Sequence, residues 1–274
     1  MTNNRQERFI ANWHSHTLRC KHAVGDAPEY ARVAAAAGLR TLGISDHMPT
    51  PDNRWVAVRM TADEVPDYRM AVEQARFEQP GLRIYIGMEC EYLPEWHDYY
   101  IDELVDHQEM EYLILGAHSY PVGRDWISTF SRAHANDPHM LRAYGKYVVD
   151  SIGTGLFAFV AHPDVFGFFY DVWDEEAAAV ARDIAQAAKA AHVPLEINSY
   201  GLRKELMDTP AGERTAYPWE PFWEVAAAEG ATAIINSDAH SPGELVATID
   251  EAFALADRTG VRVIVPTDLE SMRT

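Results

Sequence analysis

The sequence is poor in cysteine, in long hydrophobic runs and in positive charge. Only two of its 274 residues are cysteines, Cys20 and Cys90, which are too few for a disulfide framework and predict free thiols in a reducing compartment. No apolar run approaches the roughly 18 residues that a membrane-spanning helix needs, and the polar segment 1–8 is not followed by the apolar stretch of a signal peptide. We therefore expect a cytoplasmic protein that does not associate with a membrane.

Acidic residues outnumber basic residues by 42 to 23, which gives a formal net charge of -19 and an isoelectric point near 4.9. A negative field of this kind repels phosphate backbones, so we expect no nucleic-acid partner. Divalent cations held inside the protein would reverse the field locally, and a small anion could then bind. The sequence gives no indication of the oligomeric state.

Seven apolar runs recur along the chain, each followed by a segment with helical patterning. They cover residues 9–11, 41–45, 83–88, 112–117, 157–161, 193–197 and 231–236, and a further run at 261–265 predicts a terminal strand. Strands that alternate with helices form parallel sheets with helical crossovers. A single barrel of about 250 residues is a common solution at this chain length. The sequence thus predicts an α/β, TIM-like barrel in one domain that spans residues 1–274.

Helix-capping patterns mark several of the predicted crossovers. Asp26 and Asp174 are candidate N-caps, and the segment 61–64 has the spacing of a capping box. The segment 241–244 has the same spacing, and it predicts that the last long helix begins there.

Metal-binding side chains follow the apolar runs, where the predicted strands end. Seven of the twelve histidines lie at such positions. In a parallel barrel all these ends meet on one face, where active sites gather. The candidate metal ligands are His14, His16, His22, His47, Glu89, His118, His162, Asp238 and His240. These donors exceed the needs of one ion and include no thiolate, so two or three ions are implied and Zn, Mn or Fe are the candidate metals.

A long segment between the fourth strand and the next helix, residues 119–137, is rich in glycine, proline, tryptophan and polar residues. It is typical of a lid or substrate loop. Tyr120, Arg124 and Trp126 of this segment are the candidates to contact a leaving group.

Two aspartates and two aromatic residues have simpler interpretations. We expect Asp46 and Asp164 to orient a ligand imidazole or a nearby backbone group. Trp13 and Phe159 are predicted to lie in the barrel core.

Taken in chain order, the strand-end motifs resemble the polymerase and histidinol phosphatase (PHP) superfamily. The resemblance covers nearly the whole chain and implies a distorted (β/α)7 barrel with a trinuclear metal centre that hydrolyses phosphate esters. The motifs are His14-x-His16, Ser45-Asp46-His47, Gly87-Met88-Glu89, His118, His162-Pro163-Asp164 and Ser237-Asp238-Ala239-His240.

The resemblance also implies a division of the ligands among three ions. His14, His16, Glu89 and Asp238 would hold the first ion, and Glu89 would bridge to a second ion on His118 and His162. His22, His47 and His240 would hold the third. Two ions about 3.5 to 4 Å apart lower the pKa of a bridging water and supply hydroxide near neutral pH. We take Glu89, Asp238 and His240 as the candidate catalytic residues.

Two further segments point to the substrate. Residues 198–204 are similar to the N-T-S-G-L-R-K pattern of histidinol-phosphate phosphatases, which makes Arg203 the first candidate to bind phosphate bidentately. Arg59, in a segment similar to their R-M-S pattern, is the second. The chain departs from the family at Asn12, where Asp is usual, and at Tyr200, where Ser is usual.

These features favour a metal-dependent phosphomonoesterase with a small phosphorylated substrate. L-histidinol phosphate, hydrolysed by a metal-bridging hydroxide, is the preferred substrate. A PHP phosphodiesterase that cleaves nucleotides or cyclic phosphates is the alternative, and a non-catalytic metal-binding regulatory module is a third. The sequence retains every type of metal ligand, which argues against the regulatory module.

Overall fold

A curled parallel sheet forms the centre of the fold. The computed structural model describes residues 8–273, so the prediction for the first seven residues lies outside the described part of the chain. Eight strands form this sheet and four form two separate hairpins. In chain order the strands are β1 Ala11–Asn12, β2 Thr41–Ile44, β3 Arg83–Cys90, β4 Tyr112–Gly116, β5 Ser119–Val122, β6 Asp125–Ser128, β7 Val160–Ala161, β8 Leu195–Asn198, β9 Met207–Thr209, β10 Gly212–Arg214, β11 Thr232–Asn236 and β12 Arg262–Val263.

The central sheet has the strand order β1-β2-β3-β4-β7-β8-β11-β12, and its strand pairs are parallel. Beyond the ends of β1 and β11, Ser15 forms a parallel bridge with Ala239, and the His16 backbone N donates to the Ala239 carbonyl at 2.9 Å. This bridge joins the two strands at the carboxyl end of the sheet, while β12 pairs with the other end of β11. The result is the predicted distorted (β/α)7 barrel.

Helices follow the strands and pack side by side around the sheet. They are α1 Ala27–Ala37, α2 Val65–Glu78, α3 Pro138–Ile152, α4 Glu175–Ala191, α5 Glu220–Glu229 and α6 Ile249–Thr259. Asp26 caps α1 within a capping box and Asp174 caps α4, as the sequence predicts. Thr61 and Glu64 form the second predicted capping box, on a short 3-10 turn that leads into α2.

The predicted start of the last helix at residue 241 is wrong. Residues Pro242–Val246 form a 3-10 helix, and α6 begins only at Ile249. The Glu244 backbone N donates to the Ser241 carbonyl at 3.0 Å, but Ser241 makes no side-chain capping bond and the Glu244 carboxylate is turned elsewhere. This carboxylate accepts a hydrogen bond from the His240 backbone N at 2.9 Å, so the acidic residue stabilises a barrel-mouth turn instead of a helix end.

Residues 119–137 are more ordered than a simple loop. Strands β5 and β6 form an antiparallel hairpin at the start of the segment. The end of the segment is tied to Asp171, which accepts hydrogen bonds from Arg132 at 2.5 Å and from Asn136 at 2.8 Å. The predicted lid is therefore a hairpin followed by an anchored turn.

Two layers of apolar side chains make up the core. The larger layer packs the helices against the outside of the sheet. A smaller cluster inside the barrel contains Trp13 and Phe159, both fully buried, as predicted. None of the helices in the described residues is long and apolar enough to cross a membrane.

Candidate metal centre

The candidate ligands predicted from the sequence come together at the carboxyl end of the barrel strands. His14 and His16 follow β1, Glu89 is the penultimate residue of β3, and His162 follows β7. All four of these side chains are buried. The sheet therefore brings residues that are far apart in the sequence to one face, as expected for a barrel mouth.

Two of the strand-end residues have a left-handed backbone. His162 has a φ of 32° and Asp238 a φ of 45°. Positive φ is costly for residues other than glycine and clusters at functional sites. Both side chains point into the histidine cluster, so the surrounding structure holds this strained backbone where the ligands are needed.

Glu89 occupies the centre of the cluster. Its Oε1 lies 3.0 Å from His162 Nε2 and 3.3 Å from His118 Nε2. Its Oε2 lies 3.1 Å from His47 Nδ1 and 3.4 Å from His14 Nε2. The same oxygen also lies 3.4 Å from His16 Nε2. Each oxygen thus faces a different set of imidazoles, which fits a carboxylate shared between two ions.

Close packing behind Glu89 fixes its position. Gly116 ends β4 directly beside it, and a Cβ atom at this position would lie 2.4 Å from Glu89 Oε1. No side chain larger than that of glycine fits there without displacing the carboxylate.

Asp238 forms a second centre of contacts at the end of β11. Its Oδ1 lies 3.1 Å from His16 Nε2, 3.5 Å from His14 Nε2 and 3.5 Å from His240 Nδ1. The candidate ligands of the third ion lie on the same side of the barrel mouth. His22, His47 and His240 each offer a ligand atom within 4.8 Å of the others. Cys20, predicted as a free thiol, is buried and unpaired to another cysteine, and it lies within the same distance of His16 and His240.

The inner imidazoles and the carboxylates hold each other in charged forms. Burial opposes protonation of His14, but Glu196 and other carboxylates raise its pKa well above the usual value. Burial is likewise outweighed at His118, whose pKa is raised to about 9 by Glu89 and Glu91. Burial also favours a neutral Glu89, yet the imidazoles around it, led by His118, lower its pKa well below the usual value. This part of the cluster requires positive charge between its carboxylates.

The outer imidazoles behave in the opposite way. Burial, reinforced by the positive charge of His16, lowers the pKa of His47 well below its usual value and that of His240 to about 3. The same two causes lower the pKa of His22. These imidazoles are therefore neutral at physiological pH, and neutral imidazole is the form that binds metal ions.

Unpaired buried atoms test whether this donor set fits metal ions. Eight buried side-chain N or O atoms of the described residues lack a hydrogen-bond partner, and five of them belong to candidate ligands. Buried polar atoms almost always have a partner, so such a concentration needs an explanation. The five are His16 Nδ1, His47 Nδ1, Glu89 Oε2, His162 Nδ1 and Asp238 Oδ1. Imidazole and carboxylate donors at this density fit bound divalent cations such as Zn.

Two carboxylates that the sequence analysis did not select support the ligands from behind. Glu196, on β8, lies with Oε1 2.9 Å from His14 Nδ1. Glu91, one residue beyond β3, lies with Oε1 3.2 Å from His118 Nδ1. The signal for Glu196 was a single charged residue inside an apolar run. For Glu91 it was the alternation with Glu89, which places both side chains on one side of the strand.

A cavity of about 450 Å³ opens directly above the cluster. Its wall away from the histidines combines aromatic and apolar side chains with an equal number of polar or charged ones. These residues are Trp55, Val58, Arg59, Glu91, Ser119, Ser128, Phe130, Tyr200, Lys204 and Tyr217. A pocket of this size accommodates a small molecule.

Neither predicted phosphate-binding arginine is unpaired. Arg59 lines the cavity but is buried, and its guanidinium forms two hydrogen bonds of 3.0 Å with Glu91. Arg203 does not line the cavity. Its guanidinium donates to the Ser237 carbonyl at 2.9 Å and to Ser199 Oγ at 3.1 Å, so it joins the loop after β8 to the end of β11.

Lys204, the next residue, lines the cavity instead. Its Nζ lies 4.1 Å from the centroid of the Tyr200 ring, and that ring stacks on His240 at 4.7 Å. Lys204 has no carboxylate partner among residues 8–273. It is therefore the positive side chain of the cavity wall that remains available to an anion.

The residues of segment 119–137 that line the cavity are not the ones predicted to contact a leaving group. Tyr120 is buried against Tyr144 and Phe169, Trp126 packs on Trp55, and neither Tyr120, Trp126 nor Arg124 lines the cavity. Ser119, Ser128 and Phe130 of the same segment line it. Alternation along the strand explains why Ser119 lines the cavity and the adjacent Tyr120 does not. Trp126 shares a face with Ser128, and it packs on Trp55 and Tyr147.

The two predicted positioning aspartates also differ from each other. Asp46 Oδ1 lies 3.6 Å from His16 Nδ1 and accepts a hydrogen bond from the Thr17 backbone N at 2.9 Å. Asp164 contacts no histidine side chain. It accepts hydrogen bonds from the Trp219 backbone N and from Trp223 Nε1, which anchor the start of α5.

Comparisons with known proteins agree with this architecture. A curated protein of Deinococcus radiodurans with the name "Probable histidinol-phosphatase" is 29% identical over 245 residues, which cover 86% of this chain and 88% of that protein. The crystal structure of hisK from Listeria monocytogenes superposes with a TM-score of 0.72 at 20% identity and covers 88% of this chain and 99% of that one.

A second solved structure is histidinol phosphate phosphatase from Lactococcus lactis, complexed with Zn, L-histidinol and phosphate. It superposes with a TM-score of 0.71 at 15% identity and covers 96% of this chain and 98% of that one. At these identities the superpositions show a shared fold. The model of the PHP domain family matches residues 12–200, which contain strands β2 to β8 and seven of the nine candidate ligands. The chain therefore belongs to the PHP domain family.

Proposed function

We propose that this protein is a metal-dependent phosphoric monoester hydrolase that acts on L-histidinol phosphate. The observation that carries the proposal is the group of unpaired buried imidazole and carboxylate atoms beneath a cavity of about 450 Å³. The names of the Deinococcus radiodurans and Lactococcus lactis relatives support this substrate. The aromatic wall of the cavity suits a small ester with a planar ring.

The proposal assigns the ligands as the family resemblance implies. His14, His16, Glu89 and Asp238 would hold one ion, with Glu89 shared with a second ion. His118 and His162 would complete that second site, and His22, His47 and His240 the third. Divalent Zn, Mn or Fe at these sites would act as Lewis acids and supply hydroxide near neutral pH.

The protein's own contribution is positioning and charge. Glu89 faces two sets of imidazoles and keeps the two halves of the centre together. Asp238 and His240 lie at the cavity floor beside Tyr200, where they would hold their ions next to the phosphate end of the substrate. Groups that are already arranged around the reacting phosphate need no reorganisation during the reaction, and this is usually the largest catalytic contribution.

We assign the phosphate contact from the cavity wall to Lys204. Arg59 remains a candidate because it lines the cavity, but its pairing with Glu91 makes it chiefly a support for His118. Arg203 reaches a phosphate only if its hydrogen bonds to Ser237 and Ser199 break. In this proposal Arg203 therefore positions the loop that carries Lys204.

The remaining expectations belong to the same proposal. Residues 1–274 would act as one catalytic domain in the cytoplasm, with a small phosphorylated substrate and no nucleic-acid partner. The negative net charge of -19 and the confined cavity support the exclusion of long nucleic acids.

A substrate panel tests the function directly. Protein loaded separately with Zn, Mn or Fe is incubated with histidinol phosphate, sugar phosphates, nucleotides and cyclic phosphates, and phosphate release is measured. We expect the highest kcat/KM for histidinol phosphate, and loss of turnover on every substrate in His14→Ala and Asp238→Asn. Turnover of nucleotides or cyclic esters without histidinol phosphate would instead identify a phosphodiesterase. Metal binding without turnover of any ester would identify a binding module.

A further inference from the structure

Glu196 is a buried carboxylate that is surrounded by hydrogen-bond donors. Oε1 faces His14 Nδ1 at 2.9 Å and the Asn236 side-chain amide at 3.0 Å. Oε2 faces the His162 backbone N at 3.1 Å and the Asn198 side-chain amide at 2.8 Å. The residue is fully buried and is not among those that line the cavity. It therefore cannot reach the substrate, yet it contacts two of the candidate ligand residues.

The four contacts join the four strands on one side of the barrel mouth. His14 follows β1 and His162 follows β7, while Asn198 and Asn236 end β8 and β11. The Asn198 amide also donates to Asp238 Oδ2 at 3.0 Å, which extends the network to a further ligand. One carboxylate thus sets the relative positions of ligands assigned to two different ions.

Hydrogen bonding to Glu196 also fixes the state of the His14 ring. A carboxylate accepts hydrogen bonds only, so Nδ1 of His14 carries a proton. Nε2 is then the ring atom that can bind a metal ion, and it faces His16 Nε2 at 3.1 Å and Glu89 Oε2 at 3.4 Å. Carboxylates in this position orient metal-binding histidines and raise their basicity.

Asn12, two positions before His14, does not share this role. Its side chain turns away from the His14 ring. Its Oδ1 accepts a hydrogen bond from the Ser237 backbone N at 2.7 Å, and its amide donates to the His14 carbonyl at 3.0 Å. Asn12 therefore joins β1 to β11, and Glu196 is the carboxylate that contacts the His14 ring.

We propose that Glu196 is the positioning residue of the metal centre: its carboxylate fixes the Nδ1-protonated form of His14 and joins the His14 and His162 sides of the site. The proposal rests on the proposed function, because it assumes that His14 binds an ion. A glutamine at this position cannot replace the carboxylate, since its NH₂ group would face two donors on whichever side it pointed. Charge and acceptor are lost together in Glu196→Gln.

The experiment measures metal affinity as well as activity. Metal-free wild type, Glu196→Gln and the matched control Asp164→Asn are titrated with Co²⁺, and the visible absorption of the bound ion is followed. Asp164 is an equally buried carboxylate in the same barrel that contacts no histidine side chain. We expect Co²⁺ affinity to fall about 10- to 100-fold in Glu196→Gln, with an altered spectrum, and to stay within about twofold in Asp164→Asn.

Urea unfolding of the metal-free proteins separates positioning from folding. A purely structural role would lower the stability of Glu196→Gln and leave its Co²⁺ affinity and spectrum unchanged, which would overturn the proposal. If Glu196→Gln does not fold, Glu196→Asp, which keeps the charge but withdraws the oxygens from His14, is used, and the same fall in affinity is expected. Wild type that binds Co²⁺ without hydrolysing esters contradicts the proposed function and leaves the Glu196 test valid. Wild type that binds no Co²⁺ overturns both.

Discussion

Arg59 and Glu91 form a buried pair with two hydrogen bonds of 3.0 Å, and the same carboxylate lies 3.2 Å from His118 Nδ1. Both side chains of the pair are almost completely buried. The arginine therefore neutralises a carboxylate that supports a candidate ligand, and the carboxylate in turn occupies the arginine. Glu196, which contacts His14 directly, has no arginine partner, and two side-chain amides donate to its carboxylate instead.

Removal of Arg59 should be costly for the fold. Arg59→Met leaves Glu91 buried without its counter-charge, which typically lowers the free energy of unfolding by about 3–5 kcal/mol. Arg59→Met combined with Glu91→Leu should recover much of that loss, because no unpaired charge remains. Urea unfolding measures both variants. The exposed Arg32→Met, which breaks a surface pair with Glu78, is the control and should change stability by less than about 0.5 kcal/mol. A harmless Arg59→Met would show that the pair is not buried as described.

Lys204 and Arg203 should separate substrate binding from stability. Lys204→Met removes the available positive charge of the cavity wall, so KM for a phosphate ester should rise about tenfold, as expected for the loss of a hydrogen bond to a charged group. Arg203→Met should leave KM nearly unchanged and lower the free energy of unfolding by about 1–3 kcal/mol, because it breaks contacts to the Ser237 carbonyl and Ser199. Steady-state kinetics measures KM of both variants, and urea unfolding measures their stability. A raised KM in Arg203→Met alone would reverse these roles.

A single methyl group should disturb the metal centre at Gly116. The added Cβ of Gly116→Ala would lie 2.4 Å from Glu89 Oε1, so the carboxylate must move away from its imidazoles. We expect kcat/KM to fall by at least about tenfold, with weaker metal binding, as for other losses of ligand orientation. Gly81→Ala is the matched control, since nothing lies within 4 Å of a Cβ atom there. Equal activity of the two variants would mean that Glu89 does not need its present position.

Asp171 should stabilise the protein in a pH-dependent way. Burial would raise its pKa, but hydrogen bonds from Asn136 and Arg132 lower it from the ordinary value of 3.8. A carboxyl group whose pKa is lower in the folded state stabilises the fold above its unfolded pKa, and this stabilisation is lost as the pH falls through the folded pKa. Asp171→Asn should therefore cost about 1–2 kcal/mol between pH 7 and pH 5.5 and less at pH 4.

Urea unfolding of wild type and Asp171→Asn at those pH values measures this difference. Hydrogen exchange of residues 132–137 should be faster in the variant at pH 7, because Asp171 anchors that end of the segment after the hairpin. A difference in stability that grows as the pH falls would contradict the assignment.

Local patterns in the sequence were sufficient to predict that the candidate ligands meet at one face of the barrel. Each candidate histidine follows a short apolar run, and parallel strands bring such positions together whatever the intervening residues are. Capping at Asp26 and Asp174 depends on residues within one helical turn, and it was predicted correctly. The capping box at Ser241 was not, because the Glu244 carboxylate accepts a hydrogen bond from the His240 backbone N and makes none with Ser241.

Contacts between distant segments of the chain could not be predicted from local sequence patterns. Arg203 matched a phosphate-binding motif, but the carbonyl that it contacts belongs to Ser237 at the end of another strand. Glu196 stood in an apolar run, and only the assembled barrel shows that four donors surround it. For the same reason Tyr120 was expected at the cavity and lies in the core. Side-chain direction within a hairpin depends on a register that composition does not reveal.

The most direct test of the account is the metal content of the purified protein. Inductively coupled plasma mass spectrometry on protein prepared without chelators should find close to three divalent ions per chain, drawn from Zn, Mn and Fe. Chelation should abolish phosphate release from histidinol phosphate, and return of the same metal should restore it. Protein that hydrolyses the ester at full rate with far less than one ion per chain would contradict the central claim.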